Sequence, residues 1–176
     1  MTENLSDHFT LQELTYSDTA VKYKLSNVPC ELHKKTLKHT CQYLLEPLRT
    51  LLNSKYKTYV GKKVKCASIK ITSGYRGPVV NAKVGGVSTS QHCTGEAADI
   101  EAVLVFTDGT RKVLPYTELY SDIRMWVKGD KLSIDQCIQE CAGGAKWVHV
   151  SHSASGKTRD RKQFLKYDGR KYTPDK

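Results

Sequence analysis

Between Leu37 and Leu52, apolar residues recur three or four positions apart. Leu37, Cys41, Leu44, Leu45, Leu48 and Leu52 form one stripe, with Lys34, Lys35, Lys38 and Arg49 elsewhere on the wheel. This is the period of a helix with one buried face, and its leucines carry packing rather than chemistry. Pro29 precedes the stretch and Pro47 interrupts it. A proline inside a helix removes an amide donor and crowds the preceding turn, so the helix is expected to kink or divide there. Residues 5–29 are polar with apolar spots at Phe9, Leu11, Leu14, Val21 and Leu25, which reads as a turn of helix plus loop.

After Val64 the period changes to two. Lys65–Ile71 alternates as a strand and stops at Thr72-Ser73-Gly74. Residues 74–97, rich in glycine and small polar residues, predict an irregular loop with room for a short helix. Asp99–Phe106 reads as a strand, Asp108-Gly109 as a turn and Arg111–Leu114 as the return strand. Tyr116–Val127 is helical in pattern, with Leu119, Ile123 and Trp126 on one side, whereas Ser133–Cys141 fits helix or strand. Trp147–Ser151 alternates, with Val148 and Val150 pointing one way and Trp147, His149 and Ser151 the other. Gln163–Tyr172 straddles Asp168-Gly169, a hairpin signal. Helices first and short strands afterwards predict an α+β fold, N-terminal helices packed on a small antiparallel sheet. The expected organisation is one domain over residues 1–176, with 5–55 mainly helical and 64–172 forming the sheet region.

The chain has 176 residues, 39% hydrophobic and 26% charged, ordinary for a globular domain. No apolar run approaches the ~20 residues of a membrane span, which excludes membrane insertion by a helix. The opening MTENLSDHFT has neither a basic nor an apolar leader region, so the expectation is synthesis in the cytoplasm without a signal peptide. A formal charge of +10, from 28 Lys plus Arg against 18 Asp plus Glu, favours anionic partners such as nucleic acid, an acidic membrane or cell-wall polymer. No nucleic-acid-binding signature accompanies that charge, so nucleic acid is not an expected partner. The six cysteines include no CxxC pair, and a domain of this size needs no staples; most are expected to be buried thiols. A monomer is expected.

Candidate chemistry centres on histidine. His8, His33 and His39 sit among polar residues and read as solvated or capping groups. His92 lies in Ser90-Gln91-His92-Cys93-Thr94-Gly95-Glu96-Ala97-Ala98-Asp99, a loop of small residues ending in a carboxylate that opens a strand. His149 lies on the polar face of the Trp147–Ser151 strand. Two imidazoles and a carboxylate suit Zn²⁺, and three protein ligands leave the fourth position that catalytic sites keep open. H-x6-D alone is weak, and a simple His–Asp hydrogen bond explains it equally well.

Four ordered blocks add to this. Ser73-Gly74-Tyr75-Arg76, then Asn81 with Val84-Gly85-Gly86, then Ser90-x-His92-x-x-Gly95-x-Ala97-x-Asp99, and finally Trp147-Val148-His149-Val150-Ser151 resemble the M15 family of zinc peptidases. The resemblance is to a branch common in phages and bacteria, related to D-Ala-D-Ala carboxypeptidases and hedgehog-type domains. The opening His8-Phe9-Thr10-Leu11-x-Glu13-Leu14 is similar to that branch as well. The resemblance implies His92, Asp99 and His149 as zinc ligands. It implies Arg76 as the cation that binds substrate and steadies an oxyanion, a role a fixed guanidinium suits. Ser90 would lie beside the substrate, with a turn or cap hydroxyl as its alternative, and Gln91 and Tyr75 would line the cleft.

Many relatives carry Glu or Asp three residues before the last zinc histidine, where this chain has Lys146. The block Asp135-Gln136-Cys137-Ile138-Gln139-Glu140 precedes the last strand, and its Glu140 is the expected general base; Glu96 is expected to be solvated, and His152 is a remote alternative. The implied function is a zinc-dependent hydrolase of peptidoglycan stem peptides or cross-links, a carboxypeptidase or endolysin-type endopeptidase acting on the cell wall as a phage lysin or virion enzyme. The alternative is a non-catalytic zinc-binding assembly module of a phage particle.

Overall fold

The computed structural model describes residues 3–154 and 160–175. Two short helices open the chain, α1 (Leu11–Thr15) and α2 (Asp18–Tyr23), more helix than the polar opening suggested. Thr10 caps α1 reciprocally: its hydroxyl accepts from the Glu13 amide, and the Glu13 carboxylate accepts from the Thr10 amide. The leucine stripe becomes α3 (Glu31–Thr40), a wide π-helical turn over Cys41–Leu45, and α4 (Glu46–Lys55). The run is divided, as Pro47 demands. The Glu46 amide reaches back five residues to the Cys41 carbonyl, and this wider turn makes room for the ring and the missing donor that follow.

Among the described residues eight strands form one sheet: β1 (Thr58–Tyr59), β2 (Lys62–Ser73), β3 (Ala97–Phe106), β4 (Arg111–Val113), β5 (Gln136–Ala142), β6 (Ala145–Ser151), β7 (Gln163–Tyr167) and β8 (Tyr172–Pro174). Their spatial order is β1-β2-β3-β6-β5-β7-β8, with β4 also on β3. One edge of β3 is therefore shared: Ala97–Ile100 pairs with β6, and Val103–Val105 with β4. All pairs are antiparallel except β5 with β7, because the chain leaving β6 returns on the far side of β5. β3 starts two residues earlier than its pattern indicated. The ambiguous Ser133–Cys141 stretch is a strand from Gln136 onward, so Cys137 and Cys141 do not share a helical turn.

Two further helices complete the fold, α5 (Pro78–Lys83) and α6 (Tyr116–Lys128). One hydrophobic core gathers Leu37, Leu44, Leu48 and Leu52 with Ala98, Ile100 and Leu104 of β3, Val148 and Val150 of β6, and Leu119, Ile123 and Trp126 of α6. The even-numbered residues of β3 are buried there; the odd-numbered ones from Asp99 onward face the other way and stay half-buried. Helices thus cover one face of the sheet, leaving the opposite face for polar groups. All six cysteines are free thiols, Cys41 and Cys137 in the core and Cys30 exposed.

The opening segment is stitched to the end of β2. The Tyr75 amide donates to the Leu14 carbonyl at 2.6 Å, and a Cβ at Gly74 would lie 2.2 Å from that same oxygen. Only glycine permits this approach. Asn27 holds the same corner, donating to the carbonyls of Thr15 and Tyr75 and accepting from the Gly77 amide. Gly74→Ala is expected to cost about 1–3 kcal/mol, as overpacking against backbone does. Urea unfolding should show the lowered midpoint; an unchanged midpoint would contradict the contact.

Candidate metal centre

Asp99 and His149 are direct cross-strand partners between β3 and β6, so their side chains rise from the open face side by side. His92 reaches them from a 3-10 turn, Gln91–Cys93, after the loop that follows α5. The three ligand atoms form a small triangle: His149 Nδ1 to Asp99 Oδ1 is 2.9 Å, His92 Nε2 to His149 Nδ1 is 3.2 Å, and His92 Nε2 to Asp99 Oδ1 is 3.3 Å. They are the group of this kind among the described residues that can hold a metal ion. Ligands about 2.0–2.1 Å from a tetrahedral zinc stand roughly 3.3–3.4 Å apart, so the triangle is the right size, slightly contracted.

The tautomer fits as well. His92 Nδ1 lies 2.7 Å from the Gly74 carbonyl, which can only accept, so Nδ1 carries the hydrogen and the neutral ring turns a bare Nε2 toward Asp99 and His149. His92 is buried, and burial holds its imidazole below the usual histidine range. Burial pushes the Asp99 carboxyl upward, but the two adjoining imidazoles outweigh it and hold that group well below the ordinary carboxylate range. A neutral imidazole beside an ionised carboxylate is the protonation state a cation needs.

The His92 turn is located by hydrogen bonds on every side. The Arg76 amide donates to the His92 carbonyl at 3.1 Å, opposite to the His92–Gly74 bond, so the two loops are laced together. The Thr40 hydroxyl donates to the Gly95 carbonyl at 2.8 Å, and Gly95, at φ +81°, lies so close to Leu37 that a Cβ would sit 2.9 Å from Cγ. Asn81, buried, donates to the Val87 carbonyl and shapes the chain leading to Ser90.

Arg76 lies just past the end of β2. Its Nε is buried without a hydrogen-bond partner among the described residues, and no carboxylate pairs with its guanidinium there. A buried, unsatisfied cationic donor is costly unless a ligand completes it. The Ser90 hydroxyl caps nothing and has no partner among the described residues, which leaves it available to a ligand. Tyr75 is buried, its hydroxyl 3.3 Å from His33 Nδ1, so His33 is packed rather than merely solvated.

Glu140 occupies β5 opposite Trp147, on the same face as His149. It is the diagonal neighbour of that histidine, a separation of about 7–8 Å between backbones that a glutamate can bridge. Burial, and next the charge of Asp99, raise its carboxyl to about 7, with His149 and Arg76 acting the other way. The other candidates are engaged elsewhere. Glu96 is not simply solvated: it accepts from the Thr94 hydroxyl and the Ala154 amide. His152 Nδ1 is 2.7 Å from an Asp160 oxygen, and its ring stacks on His39 at 5.2 Å, which makes His39 a packed group too. Lys146 belongs to the helix-covered face with Val148, its ammonium 5.6 Å from the centre of the Tyr116 ring.

Asp135 and Arg161 support the site from outside the cluster. Asp135, 3% exposed, accepts a forked pair from Arg161 at 2.8 and 2.6 Å and a bond from the Gln91 amide at 3.0 Å. Gln91 therefore braces the His92 loop against the start of β5. His8 likewise is structural, its Nδ1 2.8 Å from Glu46. A charged residue before a strand gives no hint that it is a buried anchor, and only its partners reveal it.

No curated protein matches the chain. A family model described as peptidase M15 matches residues 7–114, a stretch holding Gly74, Arg76, Ser90, His92 and Asp99 and ending before Glu140 and His149. With that match over more than half its length, and with a His-Asp-His cluster on the open face of an α+β sheet, the chain belongs to the peptidase M15 family.

Proposed function

We propose that the protein is a zinc peptidase that hydrolyses peptide bonds in the stem peptides or cross-links of bacterial peptidoglycan. The observation that carries this reading is the ligand triangle, with edges of 2.9, 3.2 and 3.3 Å and a His92 tautomer fixed by Gly74. His92, Asp99 and His149 are the zinc ligands in it. Zinc held there supplies Lewis-acid activation of water and of the scissile carbonyl.

The chain's own groups do the rest. Glu140, with a carboxyl that titrates at about 7, takes a proton from the attacking water and returns it to the leaving amine. Arg76 places its unpaired guanidinium on the substrate carboxylate or on the carbonyl oxygen as charge develops there. Ser90 offers its free hydroxyl to the substrate backbone. A net charge of +10 suits an anionic wall polymer, and a phage-type lysin or virion enzyme is the setting proposed for it.

Atomic absorption should find one zinc per chain in the parent, and His92→Ala or Asp99→Ala should abolish tight binding. Full zinc in both variants would defeat the ligand assignment. Glu140→Gln should keep the zinc and slow the release of amino groups from purified cell wall by about 10²–10⁴-fold. A zinc-loaded parent that is already inert on wall and on stem peptides would mark a non-catalytic module instead.

Glu140 also makes a stability prediction. Its carboxyl titrates higher in the folded chain, about 7, than its ordinary 4.5, so the folded state favours the protonated form. That contribution is complete below pH 4.5 and is lost as pH rises through 7. In metal-free protein, Glu140→Gln should therefore raise the melting temperature at pH 8 and give no gain at pH 4. Thermal melts across that range check it, and an equal effect at both ends would contradict the burial of the charge.

A further inference from the structure

The open face of the sheet continues past Glu140 onto the C-terminal hairpin. Tyr167 of β7 is the register partner of Glu140, and Tyr172 of β8 is the register partner of Tyr167. All three side chains thus rise on the face that carries Asp99 and His149. The two tyrosine rings stack, with centres 4.4 Å apart and planes inclined by 25°. Tyr172 is 55% exposed, so an aromatic surface remains open to a ligand. Trp147, opposite Glu140, adds a third ring whose buried Nε1 has no partner among the described residues.

This surface is held rigidly. Asp168 accepts from the amides of Arg170 and Lys171 and closes the hairpin turn. Asp175, just after β8, accepts from Tyr120 and Arg124 of α6 and from Lys166 of β7. A fixed aromatic pair binds apolar surface at small cost in conformational freedom. The electrostatics agree with the location: burial raises the Tyr172 hydroxyl, the charges of Glu140 and Asp99 raise it further, and Arg76 opposes them.

The order of strands gives the direction. Arg76 follows β2 on one side of the ligand cluster, and the tyrosines stand on β7 and β8 on the other. Two to three strand spacings separate His149 from them, about 10–14 Å. An extended chain covers that span with about three to four residues. Neither Glu140 nor the ligands need these rings for hydrolysis, and a free dipeptide cannot reach them.

We infer that the Tyr167–Tyr172 stack is a substrate-binding platform for the part of a peptide that extends beyond the scissile bond on the Glu140 side, favouring stem peptides over dipeptides. This rests on the peptidase reading above. The proposal concerns the peptide rather than the glycan, so its test uses synthetic stem peptides without sugar, from two to five residues long.

Tyr172→Ala should lower kcat/KM on the pentapeptide about tenfold, mostly through KM, with the loss falling below twofold on the dipeptide. Tyr172→Phe should restore the pentapeptide rate. Calorimetric titration of the pentapeptide should show the same tenfold weakening without reference to turnover. Tyr172→Thr, a strand former without a ring, replaces the alanine variant if near-ultraviolet dichroism shows that one misfolded. An equal loss on both lengths, or none on either, overturns the platform while leaving the peptidase standing. Tyr172-dependent binding by a parent that cuts nothing keeps the platform and removes the peptidase. A parent that neither binds nor cuts any of the peptides overturns both.

Discussion

The site depends on one reciprocal pair of hydrogen bonds. His92 donates from Nδ1 to the Gly74 carbonyl, and its own carbonyl accepts the Arg76 amide. The first bond sets which nitrogen is bare, and the second sets how far the guanidinium stands from it. Both are made to backbone, whose position is fixed in turn by the close approach of Gly74 to Leu14. A glycine, a histidine and an arginine eighteen residues or fewer apart are thereby locked into one unit before any strand pairing beyond β2 is considered.

Around that unit the sheet supplies the remaining groups by register. Asp99 and His149 face each other across β3 and β6, and Glu140 is reached by one more step to β5. Each strand adds one functional side chain on the same face, while the alternate positions, such as Ile100, Val148 and Cys137, seal the core beneath. Chemistry and stability are divided by parity along the strands. This division lets a carboxylate with a raised pKa and an unpaired guanidinium persist on top of a fully packed layer.

Much of this was legible in the chain. The leucine stripe, the division at Pro47 and the alternation of Trp147–Ser151 follow from periodicity, because local geometry decides them. The helical opening was underestimated because its two short helices are stabilised by caps and by contact of α1 with β2 and of α2 with α5 rather than by a long apolar stripe. Ser133–Cys141 was ambiguous since Cys, Ile and Gln fit either period; pairing on both sides, with β6 and β7, makes it a strand from Gln136 onward. The cluster residues were recognisable as types at familiar spacings. Their supports were not: Asn27, Asp135 and Arg161 act through long-range partners, and nothing in a local window distinguishes a buried brace from a surface charge.

The Asp99–His149 contact joins positions fifty residues apart. Closing a loop of that length carries an entropic penalty that local turns do not, and it is met only when β3, β5 and β6 have come together. During synthesis, a chain that has emerged only as far as β4 holds one imidazole and one carboxylate of the cluster, too few for a tight grip on a cation. On the zinc reading proposed above, the competence to capture metal is therefore a late event, and a loaded centre would report that the whole sheet has closed.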